Sequence, residues 1–315
     1  MSARLIPTLT GNISPEHLGR TLMHEHVFCR VKEKHVPMAS AYLREELTRI
    51  KAMGIDTIVD VTTYVSPEML LPILRSVNIN IVCCAGFYLT SKIPSAYRVH
   101  NVAALVDVMR RKITNGLGRS GVRPFMLKGA TSSANFSALE KRTMEALAIT
   151  QSEFALPLQM HACRGGVEQL DFLIAKGADP ARIIICHHEM NLKGRYALRF
   201  ATVLDQAKEI VNRGSSLFIG DLPMTNNVYR GAIVALIRQL VAEGHEERIV
   251  LSVDSHWSCR SKGVYLRGVP IQKPHARKYG YIFSEIMPSL QRAGIPQSAL
   301  DKMLLDNPRR LMTCR

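Results

Sequence analysis

The sequence predicts an α/β fold, a single (β/α)8 barrel over residues 1–315. Three observations carry the prediction. Short apolar runs rich in Ile, Val and Leu recur down the chain. They are continuous rather than alternating, as strands buried on both faces of a parallel sheet require. The segments between them carry helical spacing, as in Leu105-Val108-Met109-Ile113 and Ile233-Leu236-Ile237-Leu240-Val241. The residues that close the runs are His26, Asp60, Gly86, Lys128, His161, His187, Asp221 and Asp254. They stand 26 to 42 residues apart, the length of one strand–helix unit, with no domain-sized interruption.

Taken in order, the first strand leads into His24-Glu25-His26. The next seven are expected at Ile55–Val61, Ile79–Ala85, Phe125–Leu127, Leu158–Met160, Ile183–Cys186, Leu217–Ile219 and Ile249–Val253. Gly-Ile-Asp at 54–56, Gly-Ala-Asp-Pro at 177–180 and Gly214 read as helix ends leading into strands. Asn307-Pro308-Arg309-Arg310 opens a terminal helical turn. An apolar fraction of 47% excludes disorder as the dominant state. Seven cysteines (Cys29, Cys83, Cys84, Cys163, Cys186, Cys259, Cys314) form no CxxC pair and read as reduced thiols. With no signal peptide and no apolar run long enough for a membrane helix, the expectation is a cytoplasmic protein with no membrane partner.

In a barrel the C-terminal ends of the strands meet at one face, where side chains from distant segments converge. On a strand, residues i and i+2 point the same way, so His24 and His26 face one site while Glu25 points away. His161 and His187 close the fifth and sixth runs, and Asp254 the eighth. Each alone has a plain reading as a capped or core polar residue. Together, four imidazoles and a carboxylate at one barrel face point to a borderline divalent metal such as zinc. Lys128 closes the fourth run, and burial beside cations favours its neutral amine. A neutral amine can add carbon dioxide to give a carbamate, an anionic donor able to bridge two metals.

With these residues in view, the chain resembles the phosphotriesterase family of the amidohydrolase superfamily, which includes phosphotriesterase-like lactonases. The likeness runs from Leu18-Gly19-Arg20-Thr21-Leu22-Met23-His24-Glu25-His26 to Asp306-Asn307-Pro308-Arg309-Arg310. It implies a binuclear metal site at the C-terminal face, with zinc first and manganese, cobalt or iron as alternatives. His24, His26 and Asp254 would hold the more buried ion, and His161 and His187 the more exposed one. Carboxylated Lys128 and a hydroxide would bridge them. The continuation His188-Glu189-Met190 departs from the family pattern and leaves His188 open as the sixth-strand ligand. Asp221, in a tighter strand-7 ending than the family's, is left open as a pocket residue. Tyr88 falls where the family places an aromatic beside the substrate. The resemblance also implies a homodimer and a small-molecule substrate, a lactone or ester, with phosphotriesters as the alternative. Asp254, next to the hydroxide, would be the catalytic proton acceptor.

The net charge of +15 invites a nucleic-acid-binding barrel instead. A filled ligand set has no role in such a module, so no nucleic-acid partner is expected. Much of the charge lies in what reads as one long loop, 255–284. It holds Arg260, Lys262, Arg267, Lys273, Arg277 and Lys278, interleaved with Trp257, Tyr265, Tyr279, Tyr281 and Phe283, and has no Asp or Glu. Starting at the catalytic face, this loop would roof the pocket, with Trp257 and Arg260 as substrate contacts. Its character suits a substrate bearing a carboxylate or phosphate.

Overall fold

A computed structural model describes residues 4–31, 33–63, 67–162, 164–194, 197–223, 226–260 and 263–313, the side chains of Phe28, Arg30, Glu33 and Arg260 excepted. A short antiparallel pair, β1 (Ile6–Thr8) and β2 (Gly11–Ile13), precedes the barrel. The barrel strands follow in chain order: β3 (Thr21–Arg30), β4 (Thr57–Asp60), β5 (Asn80–Gly86), β6 (Met126–Thr131), β7 (Leu158–Ala162), β8 (Ile183–Cys186), β9 (Ser216–Ile219) and β10 (Ile249–Leu251). Each pairs in parallel with the next, the βα arrangement that the continuous apolar runs require. Every residue of β4, β8, β9 and β10 is buried.

The longer outer helices are α1 (Val36–Ala52), α2 (Val102–Asn115), α3 (Ala138–Phe154), α4 (Gly166–Ala175), α5 (Phe200–Asn212) and α6 (Asn227–Ala242). Their starts are locally encoded. Asn101 caps α2 by accepting the Ala104 N–H, and Ser137 with Glu140 forms a capping box on α3. Asn307 opens the last helical segment and ties it to the barrel, its amide donating to the carbonyls of Glu246 and Ile249. Among the described residues no helix is long and apolar enough to cross a membrane, and Cys83, Cys84 and Cys186 are buried free thiols.

Two features differ from expectation. Lys128 does not end its strand, because β6 runs on to Thr131 and carries the lysine in its middle. The segment after Asp254 is not a loop throughout. β11 (His256–Arg260) pairs in parallel with β3, then turns back through β12 (Gly263–Leu266) and β13 (Val269–Pro270) as an antiparallel extension of the sheet. The physical reason is a two-residue period: Trp257, Cys259, Val264 and Leu266 are buried and alternate with less buried neighbours.

Between β3 and β10 the seam is sealed by a side chain rather than a ladder. The buried Glu25 carboxylate accepts the Ser252 hydroxyl at 2.6 Å and the backbone N–H groups of Val253 and Ser255 at 2.7 Å each. Beside it, the His24 N–H donates to Ser252 Oγ and the His26 N–H to the Ser255 carbonyl.

Backbone approach is closest at Gly86, where a Cβ would lie 1.8 Å from the Lys128 carbonyl oxygen. Gly86→Ala is therefore expected to destabilise the protein by about 3 kcal/mol or more, since β5 and β6 cannot separate without losing their ladder. Urea unfolding measures this; an unchanged midpoint would contradict the packing.

Candidate metal centre

The strands deliver their polar residues to one place. His24 and His26 come from β3, Lys128 from β6 and His161 from β7. His187 and Asp254 stand just past β8 and β10, both in left-handed backbone conformation, with φ of 67° and 54°. Asp254 Oδ1 lies 3.6 Å from His24 Nε2 and 3.7 Å from His26 Nε2. The His187 ring is 5.0 Å from that of His24 and 4.7 Å from that of His161. Phe218 of β9 stacks on His24 at 4.2 Å and meets His187 edge-on, giving the cluster an apolar wall.

The left-handed turn at Asp254 is costly for a residue with a side chain, and Glu25 secures it. By accepting the N–H groups of Val253 and Ser255, its carboxylate holds the chain before and after Asp254. Burial pushes the Glu25 carboxyl up to about 8, with the three donated hydrogen bonds pulling the other way. Glu189 acts alike on the neighbouring strand end, accepting the N–H groups of Gly220 and Asp221 at 3.1 Å each. Arg277 completes the framework, donating to the carbonyls of Gly220 and Val253 and pairing with Asp221 at 2.9 Å.

The donor set fits metal ions. Both ring nitrogens of His24, Nδ1 of His187 and Nζ of Lys128 are buried with no hydrogen-bond partner among the described residues. Burying such a group unsatisfied costs about 1–3 kcal/mol. A bound cation would offset that cost at the imidazoles, because neutral imidazole offers it a lone pair. Burial holds His24, His26 and His187 well below the ordinary histidine range and brings His161 down to about 3. Burial alone would raise the Asp254 carboxyl, but His256, 2.9 Å away, and the other imidazoles hold it well below the usual carboxylate range. Contact with Thr62 Oγ1 at 2.8 Å occupies His26 Nδ1 and leaves Nε2 facing Asp254. Ligand atoms of His24, His26 and Asp254 lie within 4.8 Å of one another, a spacing one ion can span.

Of the alternatives left open by sequence, the structure brings His187 to the cluster and takes His188 elsewhere. His188 Nε2 lies 2.9 Å from the Val203 carbonyl of α5. Tyr88 stands beside the cluster, its ring 5.4 Å from that of His161. Trp257, expected at the substrate, is a correction: it is fully buried, because its position in β11 turns it onto Tyr279 at 5.7 Å. The side chain of Arg260 and all of Lys262 lie outside the described residues. Asp221 binds Arg267 and Arg277 at 2.9 Å each and Lys193 at 3.4 Å. Sequence reasoning missed Glu25 and Glu189 as clamps, Phe218 as a wall and His256 as the partner of Asp254. It names Arg267 only as one charge among six, because Arg-Gly is not one of the Asn-Gly, Asp-Gly or Gly-Gly pairs that signal a two-residue hairpin.

Glu25→Gln sets an N–H donor against another donor at the seam. It is expected to lower stability by roughly 1–3 kcal/mol and to weaken metal retention. Urea unfolding and metal content after dialysis read both effects, and a variant matching the parent in each would remove the clamp role.

Comparison with known proteins agrees with this geometry. The Phosphotriesterase family model matches residues 5–312. Among curated proteins, the chain is 26% identical over 326 residues to "Phosphotriesterase homology protein" of Mycobacterium tuberculosis, covering 96% of each. It is 25% identical to "N-acetyltaurine hydrolase" of Xenopus tropicalis, covering 98% of this chain and 97% of that one. Among solved structures, a triple mutant of an organophosphorus hydrolase from Deinococcus radiodurans superposes with a TM-score of 0.83 at 26% identity, covering 99% of this chain and 97% of that one. The chain belongs to the phosphotriesterase family and is a hydrolase with an α/β-barrel fold.

Proposed function

We propose that this hydrolase cleaves the acyl–oxygen bond of a lactone or ester with water, at a binuclear zinc centre held by His24, His26, Lys128, His161, His187 and Asp254. The observation that carries the reading is a group of buried donors at one barrel face: nitrogens of His24, His187 and Lys128, without a hydrogen-bond partner among the described residues, close to the grouped His24, His26 and Asp254. Two divalent ions bound there would supply Lewis acidity, toward the attacking water and toward the carbonyl oxygen. A carbamate on Lys128 would add a second anion to the donor set, and the buried lysine amine, without a hydrogen-bond partner among the described residues, supports this.

The chain's own residues do the rest. Asp254 stays ionised among the imidazoles and accepts the proton of the attacking water, and His256 Nε2, 2.9 Å from its Oδ1, steadies the carboxylate. Phe218 walls the cluster with apolar surface, which strengthens every electrostatic contact inside. Tyr88, beside His161, borders the substrate.

A second reading, hydrolysis of an acylated amine, has support in the relatives named N-acetyltaurine hydrolase and in the Arg267 guanidinium beside Asp254. The same attack on a carbonyl serves both bonds. Phosphotriester cleavage is the other alternative, in keeping with the organophosphorus hydrolase among the structural neighbours.

Chelation should abolish turnover of whichever member of a lactone, aryl ester, N-acyl amine and aryl phosphotriester panel is hydrolysed, and zinc should restore it. Phosphotriester turnover exceeding every carbonyl substrate would replace the lactone reading. Asp254→Asn, reloaded with metal, should lose roughly 10²–10⁴-fold in kcat. Near-parent kcat in the metallated variant would end the proton-acceptor assignment.

A further inference from the structure

The hairpin between β12 and β13 turns in two residues, Arg267 and Gly268, with φ of 48° and 85°. A two-residue turn with both positions left-handed matches the twist of the strands it joins, and Asn, Asp or Gly ordinarily fills it. A long side chain is strained at the first position, so the turn itself does not account for an arginine there. Where the side chain goes does account for it. The guanidinium reaches back to the metal centre, Nη1 lying 2.9 Å from Asp221 Oδ1 and 3.6 Å from Asp254 Oδ2. Its side chain is 28% exposed, so the charge is largely withdrawn from water yet not sealed off.

The surroundings sort the nearby cations by task. Arg277 shares the same Asp221 oxygen but also donates to the Gly220 and Val253 carbonyls, which makes it part of the framework. Lys193 approaches the other Asp221 oxygen at 3.4 Å and is half exposed. These groups, with Leu266 and His275, line a cavity of about 250 Å³. Three cations share the one Asp221 carboxylate, the only acid among the lining residues, and Asp254 Oδ2 lies 3.6 Å from Arg267, so the lining carries more positive than negative charge beside the reacting centre. The guanidinium fork matches an oxyanion edge-on, with two N–H groups toward two oxygens.

We propose that Arg267, aided by Lys193, seats a singly charged oxyanion of the substrate, a carboxylate or sulfonate a few bonds from the scissile carbonyl, and that the strained turn persists because it aims this arginine. The scissile group rests on the hydrolase reading above; the seat for the anion does not. Asp221 is a positioning residue that holds the guanidinium over the cavity.

The test uses the metal-loaded full chain, with Arg267→Gly and Arg267→Lys as variants. Glycine suits the left-handed position, so Arg267→Gly removes the guanidinium while relieving the turn. Two readouts are taken. One is the kcat/KM ratio for γ-butyrolactone γ-carboxylate over the neutral γ-carboxamide, the lactone pair being replaced by matched N-acyl amines if the second reading holds. The other is calorimetric affinity for methanesulfonate, a poor metal ligand that needs no turnover. The parent should prefer the carboxylate and bind methanesulfonate. Arg267→Gly should lose at least tenfold in both, with a melting temperature no more than about 2 °C below the parent, and Arg267→Lys should fall between. A parent that prefers the neutral substrate, equal methanesulfonate affinity in parent and Arg267→Gly, or a melting temperature of that variant well below the parent's would each overturn the proposal. Absence of turnover in every protein would count against the hydrolase reading alone, and methanesulfonate binding would still decide the seat.

Discussion

The structure depends on one buried carboxylate. A parallel barrel must close on itself, and here Glu25 bridges the seam between the first and last strands beside the backbone bond from His26 to Ser255. Because it sits between His24 and His26 and points the other way, the residue that closes the barrel shares its strand with two of the candidate ligands. Because it accepts the N–H groups of Val253 and Ser255, it also holds the chain before and after a third, Asp254. Closure and site geometry are thus the same set of bonds, and neither can shift without the other.

Around that seam the protein keeps polar groups that a purely structural core would not retain. Imidazole nitrogens and a lysine amine, all buried and without a hydrogen-bond partner among the described residues, subtract from the stability of the metal-free chain. Phe218 and the tightly packed strands prevent these groups from finding other partners by relaxing. A ligand that satisfies them binds the folded state alone, so metal binding and folding reinforce each other. The clamps formed by Glu25, Glu189 and Arg277 are what hold such a strained arrangement in place. The left-handed positions His187, Asp254 and Arg267 mark where it bends the backbone toward the site.

Legibility in the sequence followed how local each feature is. The eight strands were readable because burial on both faces leaves an unbroken apolar run, as at Ile183–Cys186. His24, His26, His161 and Asp254 were readable because they interrupt or close such runs. The β11–β12 extension reads as a loop because its alternation is short and its charged residues conspicuous, which places Trp257 at the pocket, whereas pleating turns it inward onto Tyr279. His187 and His188 could not be separated by periodicity, since the chain leaves the strand there in a left-handed turn that reverses which side chain faces the cluster.

By itself, the sequence determined the barrel, the order of its strands and the residue types gathered at their ends, because these follow from hydrophobic periodicity and spacing along the chain. Tertiary structure alone decided which partners those residues meet: Glu25 across the seam, Phe218 against His24, and Arg267 reaching Asp221 and Asp254 from a hairpin tip. Such contacts join residues tens to hundreds of positions apart. Their distances depend on barrel closure, strand pleating and the hand of single backbone turns, none of which leaves a periodic trace in the chain.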